Sequence, residues 1–314
     1  MKIMVYEARP DERADLEKQA ALHGVELSVT DAVPTLENAS LAAGCIGVSI
    51  LGQGCIDAAL LDAYHALGIR YLSTRTIGYD HIDLDHARSI GLRVCSASYA
   101  PNGVADFTVM MILMCLRHYK QALWRGQVND FSLTGLQGRE MKDLTIGIIG
   151  TGRIGAQVAR NLSGFGCRIL AYDLRRNPAV EPQVTYVDFD TLLAQSDVIT
   201  LHMPLLDSNR HIINRESIAK KRDGGVIVNC SRGELADIEA LIEGIETGKI
   251  GALGMDTVEG DEGIIHADHR VDILPNRNWF YLHQFRNVIM TQHMAFYTDA
   301  AVSSMVDCGI GGIC

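Results

Sequence analysis

The chain has 314 residues, 47% of them hydrophobic and 21% charged, with 28 Lys and Arg against 38 Asp and Glu. That length accommodates two domains of ordinary size, and the composition is that of a water-soluble globular protein. A formal charge of −10 with no Lys/Arg cluster to offset it argues against a nucleic-acid partner, and the apolar run 107–116 is too short to span a bilayer, so no membrane attachment is expected.

The N-terminal hundred residues alternate short apolar runs with helical stretches. Strands are expected at 2–6, 25–29, 46–51, 71–74 and 92–95, and helices at 12–22 and 57–67. A long apolar helix over 104–119 follows. A second series of strands then comes at 144–149, 168–172, 197–201, 225–229, 250–254 and 287–290, again with helices between. Alternation of this kind predicts α/β architecture with parallel sheets covered on both faces. The loop 260–283, rich in His, Asp and aromatic residues, is the least regular part. The Gly-rich run 307–314 reads as a tail that would shorten any returning segment and loosen the first domain. Eight cysteines without a C-x-x-C pair suggest buried free thiols in a reducing cytoplasm.

The second series opens with an apolar strand running into Gly150-Thr-Gly152-Arg153-Ile154-Gly155, the G-x-G-x-x-G spacing of a dinucleotide-binding turn. The first glycine permits a tight turn, the second lets a pyrophosphate approach the backbone, and the third lets the helix lie close on the strand, with the helix N-terminus facing the phosphates. Asp173 ends the next strand, 18 residues after Gly155, where a carboxylate can bind both ribose hydroxyls. It argues for NAD, although Arg175 and Arg176 beside it carry charge that a 2′-phosphate could use. The fingerprint thus opens a second domain, and the first domain would face the cofactor across a cleft.

Arg232, an acid after Asp256, and His293 follow the last strands. In a doubly wound sheet such strand ends share one crevice, so the three can converge beside a nicotinamide. An Arg fork can hold a carboxylate and polarise a carbonyl, and a His kept protonated by a carboxylate can deliver a proton. His266-Ala-Asp-His269 offers too few local ligands for a metal site, and none is expected.

Six stretches carry a resemblance over essentially the whole chain. They are Ser73-Thr-Arg-Thr-Ile-Gly-Tyr-Asp-His-Ile-Asp83, Tyr99-Ala-Pro-Asn-Gly-Val-Ala-Asp106, the glycine loop, Asn229-Cys-Ser-Arg-Gly233, Asp256-Thr-Val-Glu-Gly-Asp-Glu262 and Thr291-Gln-His-Met-Ala-Phe-Tyr297. In this order they resemble the D-2-hydroxyacid dehydrogenase family, in particular its D-lactate dehydrogenase branch, including the vancomycin-resistance type. The resemblance implies a Rossmann cofactor domain at 99–293 inserted in a flavodoxin-like substrate domain made of 1–98 and 294–314. It implies a catalytic Arg232 and an acid-base His293. It also implies a backbone clamp for the substrate carboxylate at Ile77 and Gly78, helped by Tyr99, and a side-chain pocket shaped by Phe296. Asp256 matches the Asp that bonds the nicotinamide carboxamide, and Pro204 lies along the adenine pocket. The helix 104–119 corresponds to one that helps form a homodimer.

The branch usually has Glu where this chain has Asp261. The shorter arm leaves open whether Asp261 or Glu262 orients His293, and it predicts a weaker couple, with reduction lost at a lower pH. Pyruvate, reduced with NADH to D-lactate, is the expected substrate. Branched, aromatic and dicarboxylic 2-oxo acids are alternatives, as is an NAD-sensing corepressor that binds without turnover. Relatives acting on 2-oxoglutarate need a second cation, and the loop Leu51-Gly-Gln-Gly54 has none; Arg9 is the nearby candidate.

Overall fold

The computed structural model describes residues 1–314 apart from Pro275. It divides into two units, Met1–Ala100 with Tyr297–Cys314, and Pro101–Phe296. Tyr99 therefore falls in the first unit and Phe296 in the second, each a few residues across the boundaries that the sequence suggests. Local bonds account for this: Ala97 N–H donates to the Thr76 carbonyl within the first unit, and the amides of Met294 and Ala295 donate to Asp256 within the second.

In the first unit, β1 (Lys2–Val5), α1 (Arg13–His23), β2 (Glu26–Val29), β3 (Gly47–Ile50), α2 (Ala58–Ala66), β4 (Tyr71–Thr74), α3 (Leu84–Ser89) and β5 (Arg93–Ser96) succeed one another. The second unit adds α4 (Asn102–Leu116), α5 (Tyr119–Gln127), β6 (Thr145–Ile149), α6 (Arg153–Ser163), β7 (Arg168–Tyr172), β8 (Thr185–Tyr186) and α7 (Phe189–Gln195). It continues through β9 (Val198–Leu201), α8 (Arg215–Lys220), β10 (Gly225–Asn229), α9 (Ile238–Glu246), β11 (Ile250–Met255), α10 (Arg277–His283) and β12 (Val288–Met290). The chain then returns to the first unit as α11 (Asp299–Gly311).

Both sheets are parallel throughout. The first has the order β2-β1-β3-β4-β5, the flavodoxin-like arrangement; the second runs β12-β11-β10-β9-β6-β7-β8, the Rossmann order extended by one strand. Central strands are apolar on both faces because helices cover both: β3, β6, β9 and β10 are buried along their whole length. Side-chain caps start several helices, among them Asp57 at Leu60 N–H, Asp188 at Thr191 N–H and Thr298 at Ala301 N–H.

Two expectations are corrected. The helix expected over 104–119 runs Asn102–Leu116 and stops three residues short, where His118 adopts a left-handed conformation (φ 50°) before α5 begins. The Gly-rich run near 307–314 is no loose tail: α11 continues through Gly311, and Met305, Val306, Ile310 and Ile313 are buried in the first unit. Its glycines serve close approach, since a Cβ on Gly309 would meet Arg75 Cγ at 2.6 Å and one on Gly312 would meet Cys95 Sγ at 2.6 Å. The eight cysteines are free, but only Cys45, Cys115 and Cys230 are fully buried, and Cys55 and Cys314 are exposed.

Candidate active site

At the carboxyl end of β6, Gly150 takes φ +93° with the His202 backbone against its α-carbon, and a Cβ on Gly155 would run into the Gly150 carbonyl. Both positions therefore require glycine. Gly152, the N-cap of α6, has open space where a side chain would stand, and no side chain caps the helix. Arg153 and Ile154 begin that helix. A cradle of this shape, with helix amides directed outward, fits the pyrophosphate of a dinucleotide. Asp173 follows β7 and is tied to the turn: its Oδ2 accepts from Thr151 N–H at 2.6 Å and Thr151 Oγ1 at 3.1 Å. Tyr186 and Asn177 complete this bracing through Thr151. Arg176 lies over the Tyr186 ring. Pro204 is exposed after β9, and its carbonyl accepts from Asn209. His202 is half-buried, lies 2.9 Å from Thr200 Oγ1, and loss of solvent around the ring pushes its pKa down to about 3, so it stays neutral.

The loops after β10, β11 and β12 are neighbours because their strands are. Asn229, fully buried at the end of β10, staples the first loop by donating to the Arg232 carbonyl at 2.7 Å and accepting from Ser231 N–H at 3.0 Å. Arg232 Nη1 donates to the Ser231 carbonyl at 2.9 Å. Gly233 then lies directly on the Val258–Glu259 backbone, locking the first loop to the second. Asp256, 1% exposed, accepts from Thr291 Oγ1 and from the amides of Met294 and Ala295, which fixes the turn that presents His293. Without that bracing the left-handed conformation of His293 (φ 53°) would be hard to hold.

Asp261 stands on the second loop and accepts from Val258 N–H at 3.2 Å. Burial, aided by the negative charges of Glu262, Glu234 and Asp256, pushes its pKa up to about 7. Glu259 is engaged by His211 at 2.7 Å and Arg210 at 3.4 Å. His266 Nε2 lies 3.2 Å from the His293 carbonyl, with its ring 6.1 Å from that of His293 and 6.3 Å from that of Phe296.

The first unit has its own strand-end cluster. Thr76 Oγ1 donates to the Gly78 carbonyl at 2.6 Å and lies 2.6 Å from Thr74 Oγ1, while Thr74 Oγ1 is 3.3 Å from His81 Nε2. Among the described residues no acceptor engages the amides of Ile77 and Gly78. Tyr99 is half-buried after β5.

With that geometry in view, the similarities are informative. Residues 109–295 match the family model described as D-isomer specific 2-hydroxyacid dehydrogenase, NAD binding domain. The chain is 41% identical over 311 residues to an aromatic 2-oxoacid reductase of Clostridium sporogenes, covering 98% of this chain and 93% of the relative. It is 39% identical over 308 residues to a D-lactate dehydrogenase of Lactobacillus delbrueckii subsp. bulgaricus, covering 97% and 92%. The apo structure of D-lactate dehydrogenase from Escherichia coli superposes with a TM-score of 0.87 at 35% identity, covering 99% of this chain and 95% of that one. The chain belongs to the D-2-hydroxyacid dehydrogenase family. It is an NAD-dependent oxidoreductase.

For this dehydrogenase, the second unit brings Arg232, Asp261 and His293 to three adjacent strand ends, while Ile77, Gly78 and Tyr99 belong to the first unit. The resemblance gives Asp256 to the carboxamide of the cofactor; in the structure its carboxylate also braces the His293 turn. Three residues went unread in the sequence: Thr151 as the partner of Asp173, His266 against the His293 turn, and Glu7 after β1. Their partners lie 22, 27 and at least 44 positions away, and no local spacing signals them. No helix among the described residues is long and apolar enough to cross a membrane.

Proposed function

We propose that the enzyme reduces pyruvate to D-lactate, with Arg232 and His293 as the catalytic pair. The observation that carries this reading is the joint placement of Arg232, Asp261 and His293 on three neighbouring, mutually stapled strand-end loops. The amides of Ile77 and Gly78, with Tyr99, hold the substrate carboxylate. The Arg232 guanidinium polarises the 2-oxo group and stabilises charge as it develops on that oxygen. NADH, which the Gly150–Gly155 turn and the Asp173 strand end would hold, would supply the hydride for C2. The His293 imidazolium gives its proton to the forming alkoxide, and its neutral form takes the proton back in the oxidative direction. Asp261, one methylene shorter than the usual Glu, stabilises the charged imidazole once it ionises itself, and Asp256 acts as a positioning residue for the turn. Phe296 shapes the room left for the substrate side chain. A larger aromatic 2-oxo acid is the second reading, favoured by the 41% identity with an aromatic 2-oxoacid reductase.

The test is NADH oxidation followed with pyruvate, 2-oxobutyrate, 2-oxoisocaproate and phenylpyruvate. Turnover of pyruvate with the greatest kcat/KM supports the first reading, and a preference for phenylpyruvate replaces it with the second. NADH binding without turnover of any oxo acid points instead to a corepressor-like role. A homodimer through α4 fits the apolar Val109, Met110, Leu113 and Met114 around a surface groove of that helix, with Met110 41% exposed; light scattering at micromolar concentration decides it. Eight free thiols support a reducing cytoplasm as the place of work.

A further inference from the structure

Glu7 follows β1 in a left-handed conformation (φ 54°) and is 3% exposed. Its carboxylate takes up four successive backbone amides of the loop after β3. Oε2 accepts from Leu51 and, at 2.9 Å, from Gly52; Oε1 accepts from Gln53 at 2.8 Å and Gly54 at 3.2 Å. Consecutive amides turned to one side form an anion-binding nest. Here the protein fills it with its own anion.

The same loop touches the strand-end cluster of the first unit. A Cβ on Gly52 would stand 2.9 Å from His81 Cε1, and His81 leads through Thr74 and Thr76 to Gly78, half of the proposed carboxylate clamp. Nearby cations are committed elsewhere. Arg75 is fully buried on Glu12 Oε1 at 3.0 Å and on the carbonyls of Tyr6 and Glu7. Arg9 pairs with Asp11 at 3.2 Å and lies 5.0 Å over the Tyr297 ring.

We infer that Glu7 is a specificity-determining positioning residue: by occupying the Leu51–Gly54 amides with a fixed negative charge, it turns the enzyme toward 2-oxo acids with uncharged side chains and against dicarboxylic ones. A second substrate carboxylate finds neither free amides in that loop nor an uncommitted Arg9 or Arg75, and it meets the field of Glu7. This rests on the proposed placement of the substrate carboxylate at Ile77 and Gly78, and it holds for either pyruvate or an aromatic oxo acid.

The decisive comparison uses 2-oxoglutarate and its 5-methyl ester, which share a carbon chain but differ in distal charge. Rates are read as kcat/KM or, where turnover is slow, as inhibition constants against pyruvate. The wild-type enzyme should favour the ester at least tenfold. Glu7→Gln should bring the ratio toward unity through KM, with kcat on pyruvate kept, and Glu7→Asp, which retains the charge, should keep the preference. Equal use of acid and ester by the wild-type enzyme overturns the inference even if Glu7→Gln fails to fold, and so does an unchanged ratio in a folded Glu7→Gln. Failure to reduce any uncharged oxo acid would instead strike the proposed function.

Discussion

Two carboxylates stand beyond strand ends of this enzyme, one in each unit, Glu7 buried and Asp261 half-buried, and they are treated in opposite ways. Glu7 receives four amide hydrogen bonds, whereas Asp261 receives one, from Val258, with Glu262, Glu234 and Asp256 adding like charge. The supply of donors is the plainest difference between them. A carboxylate given a full set of amides becomes part of the framework. One left nearly bare in a half-buried, acidic setting has its pKa moved to about 7, where it can respond to the protonation state of a neighbour.

The contrast breaks most severely on the Asp261 side if the imidazole that Asp261 is proposed to serve is removed. His293→Ala should cost about 10²–10⁴-fold in turnover at neutral pH, with NADH binding, followed by fluorescence titration, retained; near-normal turnover would remove His293 from the mechanism. Arg232→Lys keeps the charge but loses the planar fork, and should lower kcat by about 10²-fold, read in the same steady-state assay. On the other side, Glu7→Ala leaves four amides without their acceptor and should cost the first unit about 2–4 kcal/mol in urea unfolding, the range for breaking a buried polar network. A change near zero would mean that water replaces the carboxylate without penalty.

The next effect concerns pH. The folded-state pKa of Asp261 is raised from 3.8 to about 7, so the folded protein binds a proton that the unfolded chain has already released. Its favourable contribution is complete below the unfolded pKa and declines as pH climbs from about 4 to about 7, by at most about 4 kcal/mol. Asp261→Asn should flatten that part of the stability profile and gain on the wild type above pH 7. A parallel pair of profiles would show that Asp261 is as well served as Glu7. The smallest expected change is that of Asp261→Glu, which should carry pyruvate reduction to higher pH by about half a unit to one unit through closer support of His293; an identical pH profile would deny Asp261 that role.

Much of the framework was legible because its causes are local. Strand runs such as Val226–Val228 are apolar on both faces, as parallel strands covered by helices must be, and Gly150 and Gly155 are spaced by the turn that they make. Arg232 and His293 lie after β10 and β12, which flank β11, at the strand ends where the sequence places them. The misreadings share a different origin. Gly309 and Gly312 resemble a loose tail until the side chains they admit, Arg75 and Cys95, are seen to come from more than 200 residues away. The break at His118 depends on a single left-handed residue of a type that does not demand it. The bracing part played by Asp256 is equally non-local, since its three donors lie 35 to 39 positions further on. Glu7 shows the same limit, since nothing within β1 announces a partner after β3.

The return of the chain to its beginning has a consequence for synthesis. Helix α11 lies along α1, burying Val306, Ile310 and Ile313 with Leu16, and Ser303 Oγ donates to Asp15 at 3.0 Å. Residues 101–296 form one continuous unit and can fold as soon as they leave the ribosome, whereas the first unit waits for residues 297–314 to be made. At about 5–20 residues per second, the interval between completing β5 and supplying α11 is on the order of ten seconds or more. During that time the apolar faces of Ile3, Val5 and Leu16 stay open to water, so nascent chains stalled before α11 should be the ones that chaperones hold longest.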